Sequence, residues 1–461
     1  MLTLALKKEW VDTKRQGQLT WLLGIAALLL LVACLSSWQS HSQYVADQQA
    51  VSESERARWL NQGDKGPHSA AHYGTYVMKP ASSLSLLDSG LQDYQGNVIR
   101  LEAHTRNNAL FRPIQDTLSI ARFGQLSPAF VLQVLLPLLV VLIGFGLVAT
   151  EREQGTLKQL LAMGVSPARL FFTKTLMLFT IASALLIPVA ISILIFNTIH
   201  LRAGLFLGVY LIYVFIWCLL TVAISSLANS ARKALIILLS LWVFTSLLLP
   251  KLAMYYATIA NPVISSQAFE SRLKSDVYTP EREQAIAKFK QQTLAQYKVS
   301  TTDQLPFNWG GAQLQFGEQY ADKKFDLLFS ERNNQLQSQS DTYQQLGILS
   351  PFIALQTLSM GLAETDFKHH LHFSAEAEKQ RRLIQETLNF NQRDNAHKTT
   401  GHYKAGVELW QKIPKFNYQS PSFSQLYQQY IPSFLNLLAW LVTLTVLCAF
   451  TLKKIKREEQ R

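Results

Sequence analysis

The chain has 461 residues, of which 49% are hydrophobic and only 16% are charged, whereas soluble domains typically carry about 25% charged residues. Its net charge of +12 is unevenly placed, because the two long polar stretches are nearly neutral, with 8 basic and 8 acidic residues at 39–127 and 18 and 17 at 256–430. The positive excess therefore flanks apolar runs, which indicates membrane topology and excludes a nucleic-acid patch.

The N-terminal part predicts an amphipathic helix followed by a membrane span. Residues 1–18 place apolar and basic side chains on different faces of a helix, which favours a helix lying in the cytoplasmic interface. Residues 19–36 form an apolar run long enough to cross about 30 Å of hydrocarbon. A cleaved signal peptide, or a lipidated Cys34, is the alternative. The long leader with Glu9 and Asp12 disfavours cleavage.

Five further apolar runs complete a prediction of six spans. They cover residues 128–150, 170–196, 203–228, 234–250 and 431–452. The basic segments 151–169, 229–233 and 453–461 then share one side with the N-terminus. By the positive-inside rule this side is the cytoplasm, so both termini are predicted to be cytoplasmic.

The two polar stretches, 39–127 and 256–430, face outward in this topology. Their apolar spacing predicts helices at 44–62, 280–297, 315–346 and 351–390, and strands at 73–78 and 98–104. The cysteines Cys34, Cys218 and Cys448 all lie in apolar runs, so no disulfide framework supports these stretches. The first stretch alone would have a marginal core. We therefore predict one largely α-helical extracytoplasmic domain built from both.

The segment from Glu151 to Lys174 is the most informative part of the chain. Acidic residues open it at a helix start, where the helix dipole favours them. Gly155 permits a turn, and the leucines after it form a short apolar face. These features predict a compact element that docks in a groove on a cytoplasmic partner. The alternative is a plain basic loop, which would need neither the turn nor the leucines.

This segment resembles the coupling helix of ABC-2 type exporter permeases. The pattern is carried by Glu151, Glu153, Gly155, Thr156, Leu157, Leu160, Leu161, Ser166, Arg169 and Lys174. Gly164 stands where that family usually has proline, and Thr173 where it usually has glycine. The resemblance implies that these ten residues couple the chain to an ABC ATPase, and that two permease subunits, identical or different, form a transporter.

The resemblance narrows to a subfamily related to multicopper-enzyme maturation permeases, which carries an extracytoplasmic domain of unknown function. The segments that carry it are 76–80, 126–139, 350–356, 362–366, 369–370 and 413–416. They are spread over nearly the whole chain. The resemblance is specific as to family and indicates no substrate.

Several chemistries are unsupported by the sequence. It contains no phosphate-binding loop and no dinucleotide fingerprint, so ATP would be hydrolysed by a partner chain and no cofactor is expected. It has no zinc-protease motif and no nucleophile elbow, so a catalytic role is not predicted. The first, second and last spans lack charged residues, which disfavours an ion-coupled carrier.

All ten histidines fall in segments predicted to face outward. Two pairs have helical spacing that suits a metal, His68 with His72 and His369 with His372. However, the predicted cytoplasmic loops are short and the spans are apolar, so few positions outside the outward-facing segments could hold a histidine. The prediction is therefore that these are ordinary histidines and that the chain has no metal site.

Together these features predict a mostly α-helical polytopic protein of the bacterial inner membrane. It is predicted to be the permease subunit of an ABC transporter, most simply an exporter. A separate ATPase would drive this transporter. The competing hypothesis is a non-transporting membrane protein whose outer domain binds a partner or transmits force. A substrate pathway between subunits would distinguish the two.

Overall fold

A computed structural model describes residues 10–11, 17–110, 126–195, 200–396 and 403–459. Within these ranges the chain is predominantly helical, with one small sheet. Most of the amphipathic helix predicted for residues 1–18 lies outside the described residues. The mostly α-helical fold class is confirmed.

Six helices of the described residues are long and apolar enough to cross a membrane, as predicted. We call them span one to span six, in the order Leu19–Leu60, Pro128–Glu153, Pro167–Ile195, Leu201–Leu227, Ala231–Ala260 and Ile431–Lys456. The helix of span one runs without a break from Gln18 to Leu60. It therefore joins two elements that the sequence analysis treats as separate. The reason is that residues 36–60 contain neither glycine nor proline.

Three prolines in the interior of spans, Pro137, Pro188 and Pro250, each follow a short stretch of non-α helix. Pro137 comes two residues after the π-helix Val131–Leu135, and Pro250 two residues after the π-helix Val243–Leu248. Pro188 comes two residues after the 3-10 helix Ala184–Leu186. A proline removes one backbone donor and crowds the preceding turn, so the ladder adjusts there. The spans thus accommodate proline by a local change of helix type.

Spans two, three, five and six pack against span four. Its side chains Tyr210, Tyr213 and Trp217 are almost completely buried in the largest apolar core. The Tyr213 hydroxyl also binds across the bundle, where it donates to the carbonyl of Gln133 on span two at 2.7 Å. The buried hydroxyl of Tyr213 is thus paired, as a polar group away from water requires.

Outside the spans, the residues that the structure describes form a polar domain of seven helices and three strands. The helices are α1 (Pro67–Tyr73), α2 (Ser266–Val277), α3 (Pro280–Tyr297), α4 (Trp309–Gln345), α5 (Pro351–Leu362), α6 (Phe367–Asn395) and α7 (Val407–Lys412). The strands are β1 (Thr75–Met78), β2 (Val98–Glu102) and β3 (Thr105–Arg106). They form an antiparallel sheet in the order β1-β2-β3.

The short connections contain the remaining helical turns. They are Thr302–Gln304, Leu346–Leu349 and Tyr427–Gln429, all 3-10, and the α-helical turn Phe423–Leu426. The predicted helix at 280–297 and both predicted strands occur at these positions in the structure, with bounds that differ by at most two residues.

Both polar stretches contribute to one hydrophobic core. Trp59 and Leu101 from the first stretch pack with Phe373 and Trp410 from the second. The indole of Trp59 also donates to the carbonyl of Trp410 at 3.1 Å. Neither stretch would bury these side chains alone, so the two stretches fold as one domain.

The single helix predicted for residues 351–390 is wrong, because the structure has two helices there. Glu364 adopts a left-handed conformation with φ of 61°, which ends α5. The carboxylate of Asp366 then accepts from the backbone N–H of His369 at 3.0 Å and so caps α6. The apolar helix α5 packs against spans four and six. It thereby anchors the polar domain to the bundle.

Candidate functional site

The segment between spans two and three contains one short helix with a glycine turn on each side. Helix Ala149–Glu153 completes span two, and helix Thr156–Ala162 follows Gly155. Gly155 and Gly164 have φ of 76° and 85°, conformations that other residues rarely adopt. Ser166 then caps span three by accepting from the N–H of Arg169 at 3.3 Å. The predicted turn at Gly155 is therefore present.

An ion pair closes the base of this segment. Nζ of Lys174, in span three, donates to Oε1 of Glu151 at 2.9 Å. The carbonyl of Glu151 also accepts from the hydroxyl of Thr156 at 3.2 Å. Three of the predicted residues are thus brought together, and they tie the short helix to the bundle. Glu153 instead ends its helix and is exposed to solvent.

A second set of contacts, which the sequence analysis missed, fixes the segment to the end of span four. The guanidinium of Arg152 donates to the carbonyls of Ala228 at 2.6 Å and Ser226 at 2.7 Å. Nζ of Lys454 donates to the carbonyl of Leu227 at 2.6 Å. Cations at a helix C-terminus satisfy its free carbonyls and complement its dipole. Basic residues flanking the spans are the signal that points to this role.

The predicted apolar docking face is directed into the chain itself. Leu157 and Leu161 are 1% and 3% exposed and belong to the core of the bundle, and Leu160 packs partly against the same core. The prediction that these leucines form a docking face for a partner is therefore wrong for Leu157 and Leu161, which the bundle itself covers. Their burial positions the short helix, so any partner must contact its other face.

That other face presents an exposed surface around Met163. Met163 is 71% exposed, and it lies at the tip between the short helix and span three. Lys158, Gln159 and Arg169 are exposed on the same segment. We call Glu153, Lys158, Gln159, Met163 and Arg169 the exposed tip. The exposed tip thus offers one large apolar side chain and four charged or polar side chains to a partner.

The departure from the family pattern at Gly164 has a structural consequence. Proline fixes φ near −65°, whereas Gly164 has φ of 85°. A proline is therefore incompatible with the turn as it stands here. The other departure, Thr173, is a buried residue of span three, 2% exposed.

A cavity of about 1150 Å³ lies at the opposite end of spans two and five, beneath the polar domain. Gln133 and Lys251 line it from the spans, and Arg332 and Gln356 line it from α4 and α5. Residues 111–125, which connect two parts of its wall, lie outside the described residues. Its mixture of polar and apolar lining is suited to an amphiphilic molecule.

Comparison with known families identifies two regions of the chain. Residues 112–261 match the family described as ABC-2 family transporter protein. Residues 266–419 match a domain of unknown function, DUF3526. The first match covers spans two to five and the segment between spans two and three. The second match covers helices α2 to α7. No curated protein matches the chain.

Proposed function

We propose that this chain, a permease subunit of the ABC-2 transporter family with an added domain of unknown function, works as an exporter driven by a separate ATPase. The exposed tip would receive the ATPase, and the spans would transmit its movement. That movement would either transport a substrate or produce an action at the outer face of the membrane.

The observation that carries this proposal is the way the exposed tip is attached. Glu151 binds Lys174 in span three, and Arg152 binds the end of span four. A force applied at Met163 would therefore act on spans two, three and four together. An element that is exposed at its tip and rigidly fixed at its base is suited to coupling.

The proposal includes an orientation and a partner subunit. The basic residues around Arg152, Lys233 and Lys454 would face the cytoplasm of a bacterial cell, with both termini. The polar domain would then lie outside the inner membrane. A second permease subunit, identical or different, would complete the transporter, as the family resemblance implies.

Co-expression with an ABC ATPase from the same organism tests the proposal. The two chains should purify as a complex, and the permease should change the rate of ATP hydrolysis. Met163→Glu should weaken the complex because it places a charge in the apolar part of the contact. Ser338→Glu, on the exposed surface of α4, is the matched control and should leave the complex intact.

Failure to form a complex would favour the competing hypothesis of a non-transporting protein. If the Met163→Glu variant and the wild type form the complex equally well, the exposed tip is not the main contact. The family assignment would be unaffected.

A further inference from the structure

Three histidines that are separate in the sequence meet in the polar domain. His68 and His72 lie one turn apart on α1, and His104 lies in the turn between β2 and β3. One ring nitrogen from each lies within 4.8 Å of the others. Their ring centroids are 4.6 to 5.1 Å apart. We call these residues the histidine cluster.

We propose that the histidine cluster binds one divalent transition-metal ion, of which Zn²⁺ is the natural first candidate. Zinc is commonly held by three protein nitrogens with a fourth position left for water or another ligand. Nε2 of His68 lies 3.1 Å from Nε2 of His72. Two nitrogens bound at about 2.0–2.1 Å in a tetrahedral site are about 3.3 Å apart. The pair is therefore close to binding geometry.

The third histidine is oriented by a buried carboxylate. Oε1 of Glu318, on α4, lies 2.5 Å from Nδ1 of His104 and also accepts from its backbone N–H at 3.0 Å. The other oxygen of Glu318 binds Arg381 at 3.2 Å. Because Nδ1 is engaged with Glu318, Nε2 is the nitrogen left for a metal. A carboxylate behind a metal-binding histidine fixes its orientation and raises its basicity.

The backbone holds the histidine cluster in place. His104 has φ of 63°, a left-handed conformation in which histidine is enriched among residues other than glycine but which remains uncommon. The N–H of the preceding Ala103 donates to the carbonyl of Ala71 at 3.1 Å, which joins the turn to α1. Backbone strain of this kind persists where the surroundings enforce it and often marks functional positions. The site is therefore built before any ion arrives.

A bound ion would be held by the first polar stretch and supported from behind by the second. α1 and the turn belong to the first stretch, and Glu318 belongs to the second. His72 is exposed, so the fourth coordination position is accessible from solvent. We infer a site that strengthens the domain and can also receive a ligand from outside.

Titration of the full chain in detergent with Zn²⁺ tests this proposal. The protein carries an affinity tag without histidine and is first treated with a chelator. We expect one Zn²⁺ per chain and a higher unfolding temperature on binding. Co²⁺ in its place should give the intense visible absorption of a tetrahedral site. Less than one equivalent of Zn²⁺ bound at saturation, or no tetrahedral Co²⁺ spectrum, would overturn the proposal.

Variants show whether the ion sits at the histidine cluster. His68→Ala/His72→Ala should abolish stoichiometric binding, and His104→Asn, which tolerates the left-handed turn, should abolish the tetrahedral spectrum. His372→Ala, which removes a half-buried histidine that contacts Tyr418 instead, should bind as wild type. Each variant is compared by thermal unfolding with chelator present. If His104→Asn does not fold, the double variant decides, and unchanged binding there contradicts the proposal.

Glu318→Gln separates positioning from ligation. This variant keeps an oxygen near His104 but loses the charge, so the metal should still bind, about 10- to 100-fold more weakly. Unchanged affinity would show that the carboxylate has no part in the site and would contradict its positioning role.

Discussion

Lys174 and Glu151 form an ion pair at the base of the exposed tip, and their side chains are only 1% and 15% exposed. Their nitrogen and oxygen atoms are 2.9 Å apart, across the two spans that the segment connects. Two opposite charges so shielded from water attract each other strongly, and removal of either one leaves the other buried without a partner. The geometry of the exposed tip therefore depends on both residues.

Removal of one charge of this pair should destabilise the fold more than removal of both charges. Lys174→Met leaves the carboxylate of Glu151 without its cation and should lower the free energy of unfolding by about 3–5 kcal/mol. Glu151→Gln/Lys174→Met should recover much of that loss. Thermal unfolding of the purified variants measures the effect. Equal destabilisation in the single and double variants would contradict a coupled pair.

Substitution by alanine should lower the stability of the protein at Leu157 but should affect only its association with the ATPase at Met163. Leu157→Ala removes a side chain buried in the bundle core and should cost about 2–5 kcal/mol of stability. Met163→Ala removes an exposed side chain and should leave the unfolding temperature unchanged, while weakening association with the ATPase. If Leu157→Ala unfolds at the same temperature as wild type, the burial of this leucine is wrong.

Gly155 tests the turn that precedes the short helix. Nothing lies within 4 Å of the position a Cβ would occupy, so any effect of substitution comes from the backbone conformation. Gly155→Val should destabilise the turn by about 1–2 kcal/mol, whereas Gly155→Asn, which tolerates a positive φ, should be nearly neutral. The measurements are unfolding temperature and stimulated ATP turnover. Equal behaviour of the two variants would exclude a role for the conformation.

Cysteine labelling tests the proposed orientation in the membrane. In a background without Cys34, Cys218 and Cys448, an impermeant thiol reagent should label Ser54→Cys and Ser338→Cys from outside the cell. Gln159→Cys should react only after the membrane is opened. All three introduced positions are exposed. Labelling of Gln159→Cys in intact cells would reverse the topology.

The sequence was sufficient to predict the six spans, but not every helix of the polar domain or the contacts between elements. Hydropathy and flanking charge located six spans, because these signals depend on local composition. Periodicity identified an apolar face at Leu157 and Leu161 but could not show that the bundle itself covers it. It also could not detect the break at Glu364, since a left-handed residue there depends on the packing of two helices.

The histidine cluster shows the same limit. His68 and His72 have recognisable helical spacing, but a pair alone does not distinguish a metal site from ordinary histidines. His104 joins them only through the pairing of β2 and β3 and the contact of that turn with α1. The buried Glu318 comes from a helix more than two hundred residues away in the sequence. Such a constellation requires the three-dimensional structure.

Site-specific crosslinking at Met163 tests most directly whether the exposed tip receives an ATPase. A photoreactive amino acid at this position, in permease co-expressed with the ABC ATPase, should give an adduct that contains both chains. The same amino acid at Ser338 should give none. The account would be contradicted if the two proteins purify as a complex and yet neither Met163 nor Lys158 yields an adduct.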